Sequence, residues 1–263
     1  MDTALKPEGT QAQLTDAPPH CVLTYHEVSR ESGISLYTVT AEQFRSHIDL
    51  CRTLGLAAPL ITFDDGHISN YEQALPVLSA AGVQATFFIT AGWTDHRPDF
   101  MSWSQLRELA RLGHSLQSHS WSHKLLTHLS PEDLFHELSA SKEALEQKLG
   151  APVVSISMPA GRWNQRVLEA CGRAGYQQVF VSEPWIHNTQ PGGLRVAGRF
   201  MVRRDTGLNR LARMCAGSKK LLWSMRAQHG VKKLARSIVG DHVYQYLWRR
   251  AAKRATEEWD SAG

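Results

Sequence analysis

The sequence predicts an α/β fold in which buried parallel strands alternate with outer helices. Two observations lead to this prediction. Short runs that are apolar on both faces recur through residues 21–181, and such runs are typical of strands covered on both sides. Between them lie longer segments with helical start and stop signals, several of which end at glycine. This succession fits either an open doubly wound sheet or a barrel, and the pattern alone leaves both open.

The elements follow in order along the chain. Strands are predicted at residues 21–25, 59–63, 85–90, 115–118, 153–156 and 178–181. Helices are predicted at residues 40–55, 71–81, 102–112, 130–150 and 165–174. Thr40 and Gln43 carry the signature of a capping box, in which both side chains serve the first free N–H groups of a helix. Pro131 suits the first position of the fourth helix. Both features favour a helix that begins at the stated position.

Residues singled out as candidates for a site follow several predicted strands at the points where those strands end. They are His26, the pair Asp64-Asp65, Trp93, His119 and Pro159. The carboxyl ends of parallel strands meet at one end of a sheet or barrel, and binding and catalytic groups concentrate there. The sequence therefore predicts a functional site at this end of the fold.

Two segments have the residue types of a metal-dependent hydrolase. Asp64-Asp65-Gly66 follows an apolar strand, and Asp-Gly is typical of a turn that exposes side chains to a cleft. His119 and His123 are four residues apart, on one face if the backbone makes a helical turn. One carboxylate and two imidazoles suit Zn²⁺ with an open coordination position. The second aspartate is then free to act as a base.

These residues resemble a known family. The segment 62–66 is similar to the first motif of the polysaccharide deacetylases (the NodB homology domain, carbohydrate esterase family 4), and the segment 119–123 to the second. The resemblance covers residues 20–205. It implies a distorted (β/α) barrel of seven strands. It also implies that Asp64 is the catalytic base and that Asp65, His119 and His123 bind a divalent ion, Zn²⁺ first, with Co²⁺, Ni²⁺ and Fe²⁺ as alternatives.

The third motif of the family departs from its usual form. Pro159 and Gly161 match the family's Arg-x-Pro-x-Gly groove wall, but Ser157 stands where the arginine is expected. In the family that arginine orients the base aspartate. Arg162, Arg199 and Arg203 are alternatives for the missing group. The resemblance points to the exopolysaccharide-type branch, which has a version of this motif without arginine.

The general acid has no clear motif in this sequence. His187 and His26 are the two candidates, and each is also compatible with a purely structural role. Trp93 and Trp185 suit stacking on sugar faces, with burial in the core as the alternative. The substrate-binding prediction therefore comprises Pro159, Gly161 and these two tryptophans.

Charge divides the chain into a body and a tail. Residues 203–254 carry 14 Lys/Arg against two Asp, a net charge of +12, so the rest of the chain carries −8. We expect a flexible segment at residues 1–19, a catalytic domain at 20–206 and a basic helical extension at 207–263. The extension fits helices packed on the barrel or a surface for anionic lipid. Aromatic residues are few among its charges and no nucleic-acid motif is present, which argues against nucleic-acid binding.

The first twenty residues lack the apolar core of a signal peptide. No run approaches the ~18 apolar residues that a membrane span requires. The four cysteines form no cluster with metal-ligand spacing, which favours free thiols. Together these features predict a cytoplasmic location, with peripheral contact to the inner membrane face through the tail.

The function predicted is metal-dependent deacetylation of N-acetylated sugar units in polysaccharide or glycolipid biosynthesis. The partner is then an N-acetylated saccharide or a lipid-linked glycan. Two alternatives stay open: a deformylase or another C–N amide hydrolase on the same scaffold, and an inactive carbohydrate-binding relic. The complete set of Asp64, Asp65, His119 and His123 argues against the relic.

Overall fold

A computed structural model describes residues 21–31 and 35–239 of the chain. Its strands are β1 (Val22–Tyr25), β2 (Glu27–Ser29), β3 (Thr38–Thr40), β4 (Leu60–Phe63), β5 (Thr86–Ile89), β6 (Ser115–Ser118), β7 (Ser155–Ser157), β8 (Gln178–Val181), β9 (His187–Thr189), β10 (Arg195–Gly198) and β11 (Phe200–Met201). Its helices are α1 (Ala41–Thr53), α2 (Leu75–Ala81), α3 (Trp103–Arg111), α4 (Pro131–Leu149), α5 (Gln165–Arg173), α6 (Leu208–Cys215) and α7 (Lys219–Val239). The expectations for residues 1–19 and 240–263 lie outside the described ranges.

The central sheet is parallel and closes on itself. Strands β1, β4, β5, β6, β7 and β8 are neighbours in that order. The segment 195–201 joins the two edges, because β10 pairs in parallel with β8 while β11 pairs in parallel with β1. Arg199 is the residue between these two short strands. Counted as one interrupted strand, this segment completes the seven-stranded barrel that the family resemblance implied.

Three further strands lie outside the barrel. β9 pairs antiparallel with β10, and β2 forms a separate parallel pair with β3. The sequence did not predict these strands, nor β10 and β11. They are two to four residues long, which is too short for an alternating pattern to distinguish them from loops.

The core has two layers that follow from the alternation of side chains along each strand. A large cluster fills the space between the sheet and the helices and includes Leu23, Phe63 and Phe87. A small cluster occupies the barrel interior. Its members are Val22, Leu60, Phe88, Phe180 and Ala197. The side chains of Thr62, Asp64 and Arg199 are in step with these and also point inward, so the barrel interior contains polar and charged groups as well as the apolar cluster.

Most of the predicted helices and strands are confirmed within a few residues. Thr40 caps α1 by accepting a hydrogen bond from the Gln43 backbone N–H at 3.0 Å. The Gln43 amide instead donates to the carbonyls of Arg204 and Thr206, so the reciprocal half of the expected capping box is absent. The segment before α2 is a π-helical turn at Asn70–Ala74, and β7 begins two residues later than predicted.

The start of the predicted basic extension packs on the barrel body. Leu211 and Met214 of α6 and Leu221 of α7 are buried in the large core cluster. In the described ranges, no helix combines the length and apolar composition needed to cross a bilayer. The four cysteines are free thiols, as predicted.

Candidate active site

The turn after β4 sends two adjacent carboxylates in different directions. Asp64 continues the inward-facing positions of the strand and is only 3% exposed. Asp65 has φ of +72° and Gly66 φ of +86°, and such left-handed backbone turns the chain sharply. A side chain at Gly66 would be strained at this φ and would lie 3.2 Å from Ile89 Cδ1. The Asp-Gly turn thus places one carboxylate in the barrel interior and the next at its mouth.

Two imidazoles from the loop after β6 converge on Asp65. The Nε2 atom of His119 lies 3.2 Å from Asp65 Oδ1, and the Nε2 atom of His123 lies 3.4 Å from the same oxygen. One potential ligand atom from each of the three residues lies within 4.8 Å of the others. Among the described residues, this is the one group of three or more acidic, histidine or cysteine side chains that meets this criterion.

The chemistry of this group fits a divalent metal ion. Among the described residues, Asp65 Oδ1 is buried without a hydrogen-bond partner, and such an orphaned anionic oxygen is costly unless a cation satisfies it. The His119 Nδ1–H donates to the Ser157 carbonyl oxygen at 2.9 Å, which leaves Nε2 as the bare ligand atom. One carboxylate with two neutral imidazoles is a common set for Zn²⁺ and for other transition metals.

The pKa values of the three residues depend on their burial and on their mutual charges. Burial would lower the pKa of His119, but the neighbouring Asp64 and Asp65 outweigh it and raise this pKa above its ordinary value. Burial would raise the pKa of Asp65, but the neighbouring His119 and the charges of His26 and His123 hold it far below its ordinary value. Burial, and then the charge of His119, lower the pKa of His123 to about 4. His123 is therefore a neutral imidazole at physiological pH, as a metal ligand must be.

The histidine loop is irregular, so the helical turn considered for residues 119–123 is wrong. Ser120 and His123 have φ of +66° and +59°, which a helix cannot include. Glu137 of α4 is buried and holds this loop by accepting hydrogen bonds from the backbone N–H groups of Trp121 and Ser122 at 3.0 and 2.8 Å and from the Ser122 hydroxyl. The imidazoles therefore converge through a loop fixed from the outside by a carboxylate.

Asp64 forms a buried ion pair with Arg199, which is 1% exposed. The guanidinium donates from Nη1 to Asp64 Oδ1 at 2.8 Å and from Nη2 to Asp64 Oδ2 at 2.7 Å. The Ser157 hydroxyl donates to Asp64 Oδ2 at 3.0 Å and accepts from Arg199 Nη2 at 2.6 Å. Burial favours the neutral acid, but Arg199 and His119 outweigh it and keep the pKa of Asp64 below its ordinary value. Asp64 is thus a fixed, ionised carboxylate.

Among the three arginines proposed to replace the third-motif arginine, Arg199 is the one that contacts Asp64. It extends from the junction between β10 and β11, where the barrel closes, and its guanidinium lies 5.3 Å from the ring of Phe88 and 5.8 Å from that of Phe180. Ser157, at the position where the family has arginine, supplies a hydroxyl to the same pair. A single arginine in a short apolar run, residues 196–202, was the available signal in the sequence.

The two candidates for the general acid, His26 and His187, lie in different surroundings. His26 is half-buried, and its ring lies 5.0 Å from that of Tyr37. Its Nδ1 has no hydrogen-bond partner within the part of the chain that the structure describes. His187 is exposed on β9, with Nε2 3.2 Å from the Pro184 carbonyl oxygen. The charge of His26 contributes to the lowered pKa of Asp64, which places His26 within electrostatic reach of the carboxylate pair.

The two predicted tryptophans and the Pro-Gly loop have different neighbours. Trp93 is half-buried, and its ring lies 5.4 Å from that of His123. Trp185 lies against His229 of α7, at 5.4 Å between ring centroids. Pro159 is buried, and Gly161 has φ of +63° beside the Ser182 side chain. The structure thus brings Trp93 next to the metal-ligand candidates.

Glu137 is a site residue that sequence reasoning missed. It lies on the face of α4 that carries Leu134, Leu138 and Leu145 into the core. An acidic residue among inward-facing apolar positions is unusual unless it is paired. The position of Glu137 among apolar residues was thus the feature of the sequence that could have identified it. Its hydrogen-bond partners in the histidine loop could not be predicted from the sequence.

A sequence model of the polysaccharide deacetylase family matches residues 57–179. The Bacillus subtilis protein YxkH, whose name assigns it to the polysaccharide deacetylases, is 31% identical over 183 residues, 62% of this chain and 64% of the relative. Peptidoglycan-N-acetylglucosamine deacetylase PgdA of Listeria monocytogenes is 30% identical over 126 residues, 48% of this chain and 26% of the relative. The match thus spans less than two-thirds of the length of these relatives.

Solved structures share the fold. The Streptococcus pyogenes deacetylase PplD in complex with acetate superposes with a TM-score of 0.68 at 22% identity, covering 76% of this chain and 99% of that one. IcaB from Ammonifex degensii gives a TM-score of 0.64 at 22% identity, covering 76% and 97%. At this identity the likeness establishes the barrel architecture. Residues 57–179 are thus similar to the polysaccharide deacetylase family, and the barrel is the fold shared with these solved structures.

Proposed function

We propose that this protein is a metal-dependent carbohydrate N-deacetylase that hydrolyses the acetamido C–N bond of N-acetylated sugar units. One observation carries the proposal. A carboxylate held ionised by Arg199 lies next in sequence to the carboxylate on which His119 and His123 converge. A base beside a potential metal site is the arrangement that amide hydrolysis by water requires.

Asp65, His119 and His123 would hold the metal. A bound divalent ion would polarise the acetamide carbonyl and make a nearby water more acidic. Asp64 is the base that takes a proton from this water, because both its oxygens are held in place by Arg199 and Ser157. The water oxygen forms the new bond to the acetyl carbon, the C–N bond breaks, and the nitrogen takes up a proton. The products are acetate and a free amino sugar.

We assign the proton donor for the leaving nitrogen to His26. Its Nδ1 atom is buried without a partner in the described part of the protein, and its charge acts on both aspartates of the site. His187 is the second candidate, but it is exposed and lies on the antiparallel strand outside the barrel. A general acid must lie within hydrogen-bonding reach of the leaving group. His26 directly follows β1, at the end of the barrel that carries Asp64, which favours His26.

The substrate class follows from the relatives. PgdA is named for peptidoglycan N-acetylglucosamine, and a Rhizobium leguminosarum relative is a chitooligosaccharide deacetylase. We therefore infer an N-acetylated saccharide, bound with a sugar face against Trp93 beside His123. A role in exopolysaccharide assembly, a lipid-linked form of the substrate and peripheral contact with the inner membrane face are part of the same proposal. Zn²⁺ is the metal we infer, with Co²⁺, Ni²⁺ or Fe²⁺ as alternatives.

Mass spectrometry of a panel of N-acetylated oligosaccharides, peptidoglycan fragments and lipid-linked glycans tests the function. We expect loss of acetyl groups and release of acetate with added Zn²⁺, Co²⁺ or Ni²⁺, and no release after chelation. Asp49→Asn, an exposed position on α1, is a matched control for Asp64→Asn and should leave turnover unchanged. Release of formate from a formamido sugar would instead identify a deformylase. Metal binding without release of either acid would identify a carbohydrate-binding relic.

A further inference from the structure

Helix α7 presents one face to solvent that combines basic and large apolar side chains. Lys219, Lys220, Trp223, Arg226 and Val231 are all exposed. At 100° per residue, these five positions fall within about 140° of the helix circumference. We refer to these five residues as the outer face of α7.

The apolar members of the outer face are unusually exposed. Trp223 is 74% exposed and Val231 is 70% exposed, more than any other large hydrophobic side chain in the described ranges. An exposed tryptophan costs free energy in water, whereas the boundary between lipid headgroups and acyl chains suits both its apolar rings and its N–H group. The boundary between lipid headgroups and acyl chains therefore suits the outer face better than water does.

All the Asp, Glu, Lys and Arg positions in the segment that contains α7 are basic. Residues 206–240 contain eight Lys/Arg and no Asp or Glu. Lys219 and Lys220 occupy the first turn of α7, where the helix dipole disfavours cations. Helix stability therefore does not account for these two lysines.

The opposite side of α7 fixes the helix beside the active-site end of the barrel. Leu221 is buried in the large core cluster. His229 Nε2 lies 3.8 Å from Glu183 Oε1, and the His229 ring contacts Trp185. Glu183 and Trp185 belong to the loop that follows β8, at the same end of the barrel as Asp64 and His119. A surface that binds the outer face would therefore lie close to the mouth of the site.

We propose that the outer face of α7 binds a membrane surface rich in anionic lipid. Trp223 and Val231 enter the headgroup region, and Lys219, Lys220 and Arg226 contact the lipid phosphates. The combination of one amphipathic helix face, basic side chains and an exposed tryptophan is that of an interfacial helix. Peripheral binding of this kind brings the mouth of the barrel to the plane in which lipid-linked glycans lie.

Sedimentation of the full-length protein with vesicles tests the proposal without any measurement of turnover. We expect binding to phosphatidylcholine vesicles that contain phosphatidylglycerol, weak binding to pure phosphatidylcholine, and release as salt shortens the electrostatic range to about 8 Å or less. Lys219→Glu with Lys220→Glu should lower the vesicle partition coefficient by about thirtyfold or more. Trp223→Ala should lower it by about tenfold.

Matched variants separate this face from general surface effects. Arg107→Glu with Arg111→Glu on α3 makes the same charge change at exposed positions, and Phe135→Ala on α4 removes another exposed aromatic ring; both should bind like the wild type. Acidic residues in the first turn favour α7, so the Lys219 and Lys220 changes should preserve its fold. Equal binding to neutral vesicles, unchanged binding by both outer-face variants, or binding to duplex DNA without binding to vesicles would overturn the proposal.

Discussion

The carboxylates of Asp64 and Asp65 are neighbours in sequence but have opposite surroundings. Both oxygens of Asp64 accept hydrogen bonds from a buried guanidinium, and one also accepts from Ser157. Oδ1 of Asp65 has no hydrogen-bond partner, and two imidazole nitrogens lie 3.2 and 3.4 Å away. The left-handed backbone at Asp65 produces this difference within one residue.

The difference shows how one turn can separate two chemical roles. The fixed positive charge of Arg199 makes Asp64 poorly suited to bind a metal. Its Oδ1 accepts one hydrogen bond while Oδ2 accepts two, so a lone pair on Oδ1 stays available to take a proton. A carboxylate with an unsatisfied oxygen beside two imidazoles is suited to bind a metal. The predictions below test this division from its strongest consequence to its weakest.

Replacing both imidazoles should have the largest effect. We expect His119→Ala with His123→Ala to bind no stoichiometric Zn²⁺, because one carboxylate alone does not hold the ion. Metal analysis after dialysis measures this. His96→Ala with His136→Ala removes two exposed histidines elsewhere and should keep about one ion per chain. Full metal content in the double variant of residues 119 and 123 would refute the ligand assignment.

Removing the arginine should destabilise the protein and shift its pH dependence. Arg199→Met leaves Asp64 buried and unpaired, and we expect the free energy of unfolding to fall by about 3–5 kcal/mol. Burial then raises the pKa of Asp64, so the acid limb of the curve of turnover against pH should move to higher pH. In the wild type the folded-state pKa is lowered, so the stabilisation from this pair is complete above the ordinary value of 3.8 and is lost as the pH falls below it.

A second Arg–Asp pair provides the control for this prediction. Arg203 Nε lies 3.3 Å from Asp205 Oδ1, with the two side chains 30% and 47% exposed. Because solvent screens such a pair, Arg203→Met should lower the free energy of unfolding by about 1 kcal/mol or less. Denaturant unfolding of both variants makes the comparison. Similar losses for the two arginines, or an unchanged acid limb in Arg199→Met, would contradict the role given to the buried pair.

Glu137→Gln should have a smaller effect, exerted through the histidine loop. The carboxylate of Glu137 accepts hydrogen bonds from Trp121 and Ser122 with both of its oxygens. In glutamine one of these oxygens is replaced by an NH₂ group, which cannot accept, so the loop that contains Trp121 and Ser122 loosens. We expect Zn²⁺ affinity to fall by about tenfold, with little change in overall fold, as measured by competition with a chelating dye. Glu143→Gln, exposed on the same helix, should leave affinity unchanged. Equal affinities for the two variants would remove the positioning role from Glu137.

Local signals in the sequence predicted much of this architecture. The strand-then-Asp-Gly pattern, the glycine stops and the caps act over a few residues, and each determines its own element. Arg199 could not be chosen over Arg162 and Arg203, because its pairing with Asp64 depends on closure of the barrel by residues 195–201. The convergence of His119 and His123 was predicted from their spacing and from the family resemblance, whereas the structure achieves it through left-handed residues and Glu137.

The division of roles between the two aspartates is tested most directly by measuring bound metal and acetate release for Asp64→Asn and Asp65→Asn in parallel. Asp64→Asn should keep one divalent ion per chain and lose turnover by about a hundredfold or more, because it removes the base. Asp65→Asn should lose the ion together with turnover, while both variants unfold cooperatively. Loss of the metal in Asp64→Asn, or a full metal complement in Asp65→Asn, would contradict the account.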